Sequence, residues 1–172
     1  MTGWTSLRTE RLYLRAPRAS DAGAMSLYAG DARVAKMTTS IPHPYLPAMA
    51  QTFIEQVNAG RHREEVWVMD ATPSGGAELA GIVSFKTDLA EIGYWVGPPF
   101  WGTGLASEAV RAVCAHLLDA RGLDHVDAAV FFDNPGSQRV LTRAGFTRTG
   151  ETWLHSVARD VEVPAITFRL DK

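Results

Sequence analysis

The sequence predicts an α+β fold, in which a mixed, mostly antiparallel sheet of six to seven strands is flanked by about four helices. Three strand-like segments follow one another in the middle of the chain, and their connections are too short for parallel pairing. Helical patterns precede these segments, and a strand–helix–strand succession follows them. We expect a single domain over residues 1–172, because no linker or repeat interrupts the pattern.

Composition places the chain among ordinary globular proteins. Apolar residues make up 46% of the sequence and charged residues 21%, with a formal net charge of −2. This balance gives no general attraction to nucleic acid or to an anionic membrane. One cysteine cannot form an internal disulfide, residues 1–18 lack a signal-peptide pattern, and no apolar run reaches membrane-spanning length. We therefore expect a cytoplasmic protein, either a monomer or a homodimer.

The first part of the chain combines one strand with two helices. Residues 9–16 alternate, with Leu12 and Leu14 on one face, and predict a half-buried strand. Ser20 or Asp21 can cap a first helix, whose apolar positions include Met25, Leu27 and Tyr28. The proline-rich segment 38–47 predicts a surface loop, and a second helix follows from Pro47 to about Asn58.

Strands then dominate, before two further helices return. The middle strands are predicted at 65–71, 78–85 and 89–96. A helix over 104–120 carries an apolar stripe and ends before Gly122, and its buried positions are expected to be Val110, Val113, Cys114 and Leu117. The remaining sequence predicts a strand at 125–132, a short helix at 134–145, and two strands at 146–152 and 161–170.

The turn at Gly102-Thr103-Gly104 is the first feature that indicates a ligand. Bare backbone N–H groups and the positive end of a helix dipole favour an anion such as a phosphate. A dinucleotide fingerprint would have glycine or alanine where Ser107 stands and would follow the first strand of a βαβ unit, whereas this turn follows a meander. A Walker A loop would contain a lysine, and none is present here. A second interpretation is that the glycines only permit a tight turn.

Three ordered segments give the chain a resemblance to a known family. Trp101-Gly102-Thr103-Gly104-Leu105-Ala106, Asp133 to Phe146 and Thr9 to Arg15 resemble motifs of the GNAT superfamily of N-acetyltransferases. Glu91-Ile92-Gly93-Tyr94-Trp95-Val96 is typical of its ribosomal-protein acetyltransferase branch (RimJ/RimL-type). The main departure is Trp101, where the family pattern has glutamine or arginine.

The resemblance implies a GNAT fold that uses acetyl-CoA (coenzyme A) as acyl donor. No metal is expected, because the five histidines show no ligand spacing with cysteine or paired carboxylates. The resemblance implies that the backbone from Tyr94 to Val96 pairs with the pantetheine arm, after which the sheet splays apart. It also implies that the turn holds the pyrophosphate. The expected cofactor-binding residues are Tyr94, Trp95, Val96, Trp101, Gly102, Thr103, Gly104, Leu105, Ala106, Ser107, Asn134 and Arg139.

The resemblance also suggests catalytic residues. Glu91 is the candidate base, and the alternative is an ordinary exposed carboxylate. Many relatives use a tyrosine to protonate the leaving thiolate, at the position that Leu141 occupies here. Ser137 stands where the ribosomal-protein branch has a serine and is the candidate partner of the sulfur. Its alternative role is a local cap in the helix.

The acceptor is predicted only as a primary amine, either a protein N-terminus or a small amine. Direct transfer through a ternary complex is expected. His43, Tyr45 and Trp153, with His155 nearby, are candidates for the acceptor pocket. The alternatives are an enzyme for aminoglycoside-type or polyamine substrates and a catalytically silent acyl-CoA-binding regulatory module.

Overall fold

The structure, a computed structural model, describes residues 5–172. The described part forms the strands β1 (Leu7–Arg8), β2 (Tyr13–Arg15), β3 (Glu64–Asp70), β4 (Gly81–Lys86), β5 (Glu91–Val96), β6 (His125–Phe131), β7 (Thr147–Ser156) and β8 (Val161–Asp171). Its helices are α1 (Ala22–Ala29), α2 (Ala32–Ala35), α3 (Pro47–Asn58), α4 (Leu105–Ala115) and α5 (Pro135–Arg143). The α+β class is confirmed, with eight strands and five helices in this range.

All eight strands belong to one sheet, in the order β1-β2-β3-β4-β5-β6-β8-β7. Neighbouring strands are antiparallel except β5 and β6, which run parallel. That parallel pair is short, because only Glu91 and Ile92 of β5 pair with Asp127 and Ala128 of β6. The two strands diverge from Gly93 onward. The sequence predicted that the sheet would splay apart after Val96, which is four residues too late. The pairing of β5 with β4, on its other side, does continue to Val96.

Three further differences lie in the first part of the described chain. Of the predicted strand 9–16, only β2 is a strand. The residues before it form a turn that follows β1, in which the Thr9 N–H donates to the Leu12 carbonyl over 2.9 Å. The short helix α2 was not predicted; Asp31 caps it by accepting a hydrogen bond from the Arg33 N–H. Leu27, expected on the apolar face of α1, is 68% exposed.

The sheet separates two apolar layers. One layer lies against α4 and contains Val110, Val113, Cys114 and Leu117, all buried as predicted. Burial raises the pKa of the Cys114 thiol to about 12, which suits a packing role. The other layer lies between the sheet and helices α1 and α3, and includes Met25 and Ile54. Both faces of the central strands are therefore covered.

A buried ion network joins β2 to the segment before α1. Arg15 Nε lies 2.7 Å from Asp70, and Arg15 Nη1 lies 2.9 Å from Asp21. Burial alone would lower the pKa of Arg15, but its hydrogen bonds to both carboxylates outweigh burial and raise the pKa. The alternation along residues 9–16 places Arg15 on the face opposite Leu12 and Leu14, which was expected to be exposed. Arg15 is buried because the turn that contains Asp21 covers that face.

Within residues 5–172, no helix is long and apolar enough to span a bilayer. Over the same range, no three His, Cys, Asp or Glu side chains are grouped so that they could hold a metal ion.

Candidate active site

A cleft of about 610 Å³ opens where β5 and β6 diverge. It combines the C-terminal half of β5, the turn into α4, the first half of α5 and the segment around α2. Most of the predicted cofactor-binding residues line it, together with Ser137. They are Tyr94, Trp95, Val96, Trp101, Gly102, Gly104, Leu105, Ala106, Ser107, Asn134 and Arg139.

One wall of the cleft is the free edge of β5. The Gly97 N–H donates to the Ala80 carbonyl over 2.8 Å, so the backbone at Gly97 faces β4. Backbone groups alternate in direction along a strand, and those of Tyr94 and Val96 therefore point into the gap. Trp101 Nε1 donates to the Val96 carbonyl over 2.7 Å. Trp101, the residue that departs from the family pattern, thus occupies the backbone acceptor at the C-terminal end of this edge.

The turn into α4 presents backbone donors to the cleft. Gly102 and Gly104 have φ values of +72° and +82°, a left-handed conformation that favours glycine. No side chain caps α4, and the helix begins its hydrogen bonding with Glu108 N–H to the Gly104 carbonyl, over 3.1 Å. The amides of residues 105–107 therefore precede the first intrahelical donor. This geometry suits an anion.

Glu108 connects the turn into α4 to the β1–β2 turn. Its carboxylate accepts hydrogen bonds from the Thr9 hydroxyl (2.6 Å) and the Arg11 N–H (2.8 Å), and pairs with Arg11 Nε (2.7 Å). Arg11 Nη1 also donates to the Thr103 carbonyl over 2.8 Å. Partial burial alone would raise the pKa of Glu108, but these hydrogen bonds lower it. The β1–β2 turn thus holds the turn into α4 in place.

We expect Glu108→Gln to weaken acetyl-CoA binding about three- to tenfold, because an amide NH₂ would face donors that now bind a carboxylate oxygen. Calorimetry with acetyl-CoA measures this effect. Glu55→Gln, on the exposed face of α3, is the matched control and should leave the affinity unchanged. Wild-type affinity in Glu108→Gln would show that the contacts of Glu108 with Thr9 and Arg11 do not support the turn.

The first turn of α5 forms the opposite side of the cleft. Asn134 caps the helix, since its Oδ1 accepts a hydrogen bond from the Ser137 N–H over 3.2 Å. The Tyr94 hydroxyl lies 2.6 Å from Ser137 Oγ, across the gap. Burial raises the pKa of Tyr94, although the hydrogen bond to Ser137 opposes this rise. Leu141 is fully buried and presents no polar group.

Four cationic side chains line the cleft. Arg139 was predicted, whereas Arg33, Lys36 and Arg143 were not. The i, i+4 spacing of Arg139 and Arg143 could have revealed the second, because it places both on one face of α5. Arg33 and Lys36 gave no comparable signal, since α2 is too short to show a periodic pattern. The Arg33 guanidinium also lies 5.3 Å from the centre of the Trp101 ring.

Glu91 lies outside the lining of the cleft, at the start of β5. Its carboxylate is 2.9 Å from Lys86 Nζ on β4, and its backbone pairs with Asp127 on β6. Burial alone would lower the pKa of Lys86, but Glu91 raises it. Glu91 therefore stands at the closed end of the split, next to the last paired residues. Its role as base stays a prediction.

The remaining predicted residues also lie apart from the cleft lining. The Thr103 hydroxyl donates to the Phe100 carbonyl over 2.5 Å. Tyr45 packs against the apolar layer of α1 and α3, with its hydroxyl facing Met25 Sδ, and His43 lies near Asp31. Trp153 lines a separate depression beside Phe132 and Pro164, and His155 contacts Glu162. The acceptor roles of these side chains stay predictions.

A clamp joins the segment after α2 to the β7–β8 turn near the cleft. Arg159 donates to the Lys36 carbonyl over 2.7 Å and to Asp133 over 2.8 Å. The Val157 N–H donates to the Thr39 carbonyl over 3.1 Å. The two loops at this edge of the cleft are therefore connected.

Comparison with known proteins shows which family the chain is similar to. The model of the acetyltransferase (GNAT) domain matches residues 11–147. The uncharacterized N-acetyltransferase YoaA of Bacillus subtilis (strain 168) is 40% identical over 78 residues, which are 42% of this chain and 44% of that protein. The ribosomal-protein-serine acetyltransferase of Escherichia coli (strain K12) is 35% identical over 78 residues, with the same two coverages.

The chain thus covers less than half the length of these two relatives. Among solved structures, the microcin C7 self-immunity acetyltransferase MccE in complex with acetyl-CoA and AMP shares the fold. Its TM-score is 0.81 over 95% of this chain and 94% of that chain, at 19% identity. The family model spans most of the sequence and includes the β5 edge, the turn into α4 and the first turn of α5. The chain therefore belongs to the GNAT family of acetyltransferases.

Proposed function

We propose that this protein transfers the acetyl group of acetyl-CoA directly to a primary amine, in a ternary complex and without a covalent enzyme intermediate. The observation that carries the proposal is the split between β5 and β6, which leaves the β5 edge without a partner strand, beside a helix start with free backbone amides. We further propose that the acceptor is the α-amine of a protein N-terminus and that the reaction takes place in the cytoplasm.

The cleft residues fit the chemical parts of acetyl-CoA. Amide groups of a pantetheine arm could pair with the backbone of Tyr94 and Val96, as an added strand does. The amides of residues 105–107 and the helix dipole of α4 would hold the pyrophosphate. The guanidinium groups of Arg139 and Arg143 would pair with the negative charge of the other phosphate groups of acetyl-CoA. MccE, which shares the fold, is described with acetyl-CoA bound.

The reaction needs few groups from the protein. The amine nitrogen attacks the thioester carbon, and a backbone N–H on the β5 edge near Val96 can stabilise the negative charge that develops on oxygen. Glu91 would accept the amine proton through water, and Ser137 would face the leaving sulfur. Placing donor and acceptor in one cleft supplies much of the remaining rate enhancement.

The charges of the cleft support a protein N-terminus over a polycationic small molecule. Four cationic side chains line the cleft; one of them, Arg33, is paired with Asp31, and the carboxylate of Asp133 is paired with Arg159. A polyamine or aminoglycoside would meet like charge there. An N-terminal amine has a pKa of about 7.7–8.0 and loses its proton more easily than a lysine, at about 10.4. One relative carries the name ribosomal-protein-serine acetyltransferase.

The experiment is a thiol-release assay with acetyl-CoA and a panel of amines. The panel contains peptides that begin with serine or alanine, the same peptides with blocked N-termini, spermidine and kanamycin. We expect turnover with the free N-terminal peptides and none with the blocked ones. Preference for spermidine or kanamycin would indicate a small-molecule enzyme. Tight CoA binding with no turnover on any amine would indicate a silent regulatory module.

We expect Glu91→Gln to lower kcat by at least about tenfold, because the amide cannot accept the amine proton. Its affinity for acetyl-CoA should not change, since Glu91 lies outside the cleft lining. Glu64→Gln is the matched control, because Glu64 stands opposite Lys86 on β3, across from Glu91. Equal kcat values in the two variants would remove Glu91 from the mechanism.

A further inference from the structure

The Tyr94 side chain bridges the gap in the split sheet. Tyr94 belongs to β5, beyond the last residues that pair with β6. Its hydroxyl lies 2.6 Å from Ser137 Oγ and 3.1 Å from the Ser137 carbonyl oxygen, in the first turn of α5. Both residues line the cleft. The phenol therefore connects the strand that would hold the donor with the hydroxyl proposed to face its sulfur.

The number of hydrogens limits how this pair can work. Each hydroxyl carries one hydrogen and can also accept. If Ser137 donates to Tyr94, its hydrogen is engaged, and the phenol donates to the Ser137 carbonyl. If Tyr94 donates to Ser137 Oγ instead, the hydrogen of Ser137 is free for a group in the cleft. Only the second arrangement lets Ser137 act on a leaving sulfur.

Two features of the surroundings favour a fixed orientation of Ser137. Asn134 Oδ1 accepts a hydrogen bond from the Ser137 N–H, which holds the backbone of Ser137. Burial raises the pKa of Tyr94, so the phenol keeps its proton throughout the pH range of ordinary assays. The serine is thus held by its backbone on one side and by its hydroxyl on the other.

We infer that Tyr94 is a positioning residue, whose phenol donates to Ser137 Oγ and directs the Ser137 hydrogen toward the departing thiolate. The inference rests on the proposed acetyl transfer. As the C–N bond forms, the C–S bond breaks and its electron pair stays on sulfur. Sulfur then takes the proton of Ser137, and Ser137 is reprotonated by solvent, which in turn receives the amine proton that Glu91 accepts, so that no net proton is gained or lost. Tyr94 stabilises the serine oxygen by its hydrogen bond.

The test is a double-mutant cycle of Tyr94→Phe and Ser137→Ala, using the best acceptor of the amine panel. We expect Tyr94→Phe to lower kcat about tenfold, with KM for the acceptor and Kd for acetyl-CoA unchanged within about twofold. The double variant should be no slower than Ser137→Ala, because Tyr94 acts through the serine. Tyr13→Phe on the distant strand β2 is the control for loss of a phenol hydroxyl and should keep wild-type kcat.

Three results would overturn the inference: a wild-type kcat in Tyr94→Phe, independent effects of the two substitutions, or a parallel loss of acetyl-CoA affinity. The last would show that the phenol only sets the width of the cleft. Thermal unfolding of each variant separates a loss of folding from a loss of rate. If the wild-type protein itself transfers no acetyl group, the proposed function fails instead.

Discussion

Replacing Gly104 with glutamate is expected to abolish acetyl-CoA binding, with a rise in Kd of at least about 100-fold. Gly104 caps α4 at a φ of +82° and lines the cleft. A carboxylate at this position would lie next to the free amides of α4 and occupy the site that a pyrophosphate needs. It would also repel the phosphate charge. Calorimetry with acetyl-CoA and with CoA measures the loss.

Gly122→Glu is the matched control for this change. Gly122 follows the same helical segment at its other end, with a φ of +72° and, its chain neighbours aside, no atom within 4 Å of the position that a Cβ would occupy. The same substitution there carries a similar backbone cost, about 1–2 kcal/mol, without reaching the cleft. We expect it to lower stability and to keep acetyl-CoA affinity. Near-wild-type affinity in Gly104→Glu would remove the turn from the binding site.

Arg15→Met is expected to destabilise the fold most, by about 3 to 5 kcal/mol, because it leaves two carboxylates buried without their cation. Asp21 would keep a hydrogen bond from the Arg18 N–H, and Asp70 would keep those from Thr72. Neither set replaces the guanidinium charge. The free energy of unfolding in urea, measured by circular dichroism, gives the size of the effect.

Arg148→Met is the control for loss of an arginine from an ion pair. Arg148 pairs with Glu151 on β7, where both side chains are largely exposed to solvent. Exposed pairs contribute at most about 1 kcal/mol, so this variant should remain close to wild type. Equal unfolding free energies for the two variants would contradict a stabilising role for the buried network.

Features fixed by short stretches of chain could be predicted from the sequence. Gly104 was assigned to the start of α4 because a tight turn with positive φ favours glycine. Asn134 was assigned to a helix cap because asparagine before proline suits that position, and the structure confirms the cap. The stripe from Val110 to Leu117 is buried, as its helical period predicted.

Features that depend on distant contacts could not be predicted. The divergence of β5 begins at Gly93, although its own alternation and its pairing with β4 continue to Val96. The ion pair of Arg15 with Asp70 joins residues 55 positions apart. The Tyr94–Ser137 contact joins residues 43 positions apart. Local sequence patterns carry no information on such distant pairs. The strands and helices that form the cleft could therefore be predicted, but not every side chain that lines it.

The most direct test of the account follows the acetyl group itself. The protein is incubated with acetyl-CoA labelled with ¹³C in the acetyl group and with a peptide that begins with serine, and both polypeptides are weighed by mass spectrometry. The account predicts label on the N-terminus of the peptide, none on the protein, and no transfer by Gly104→Glu. Label on the protein would contradict direct transfer, and an unlabelled peptide beside a protein that binds acetyl-CoA would contradict the proposed acceptor.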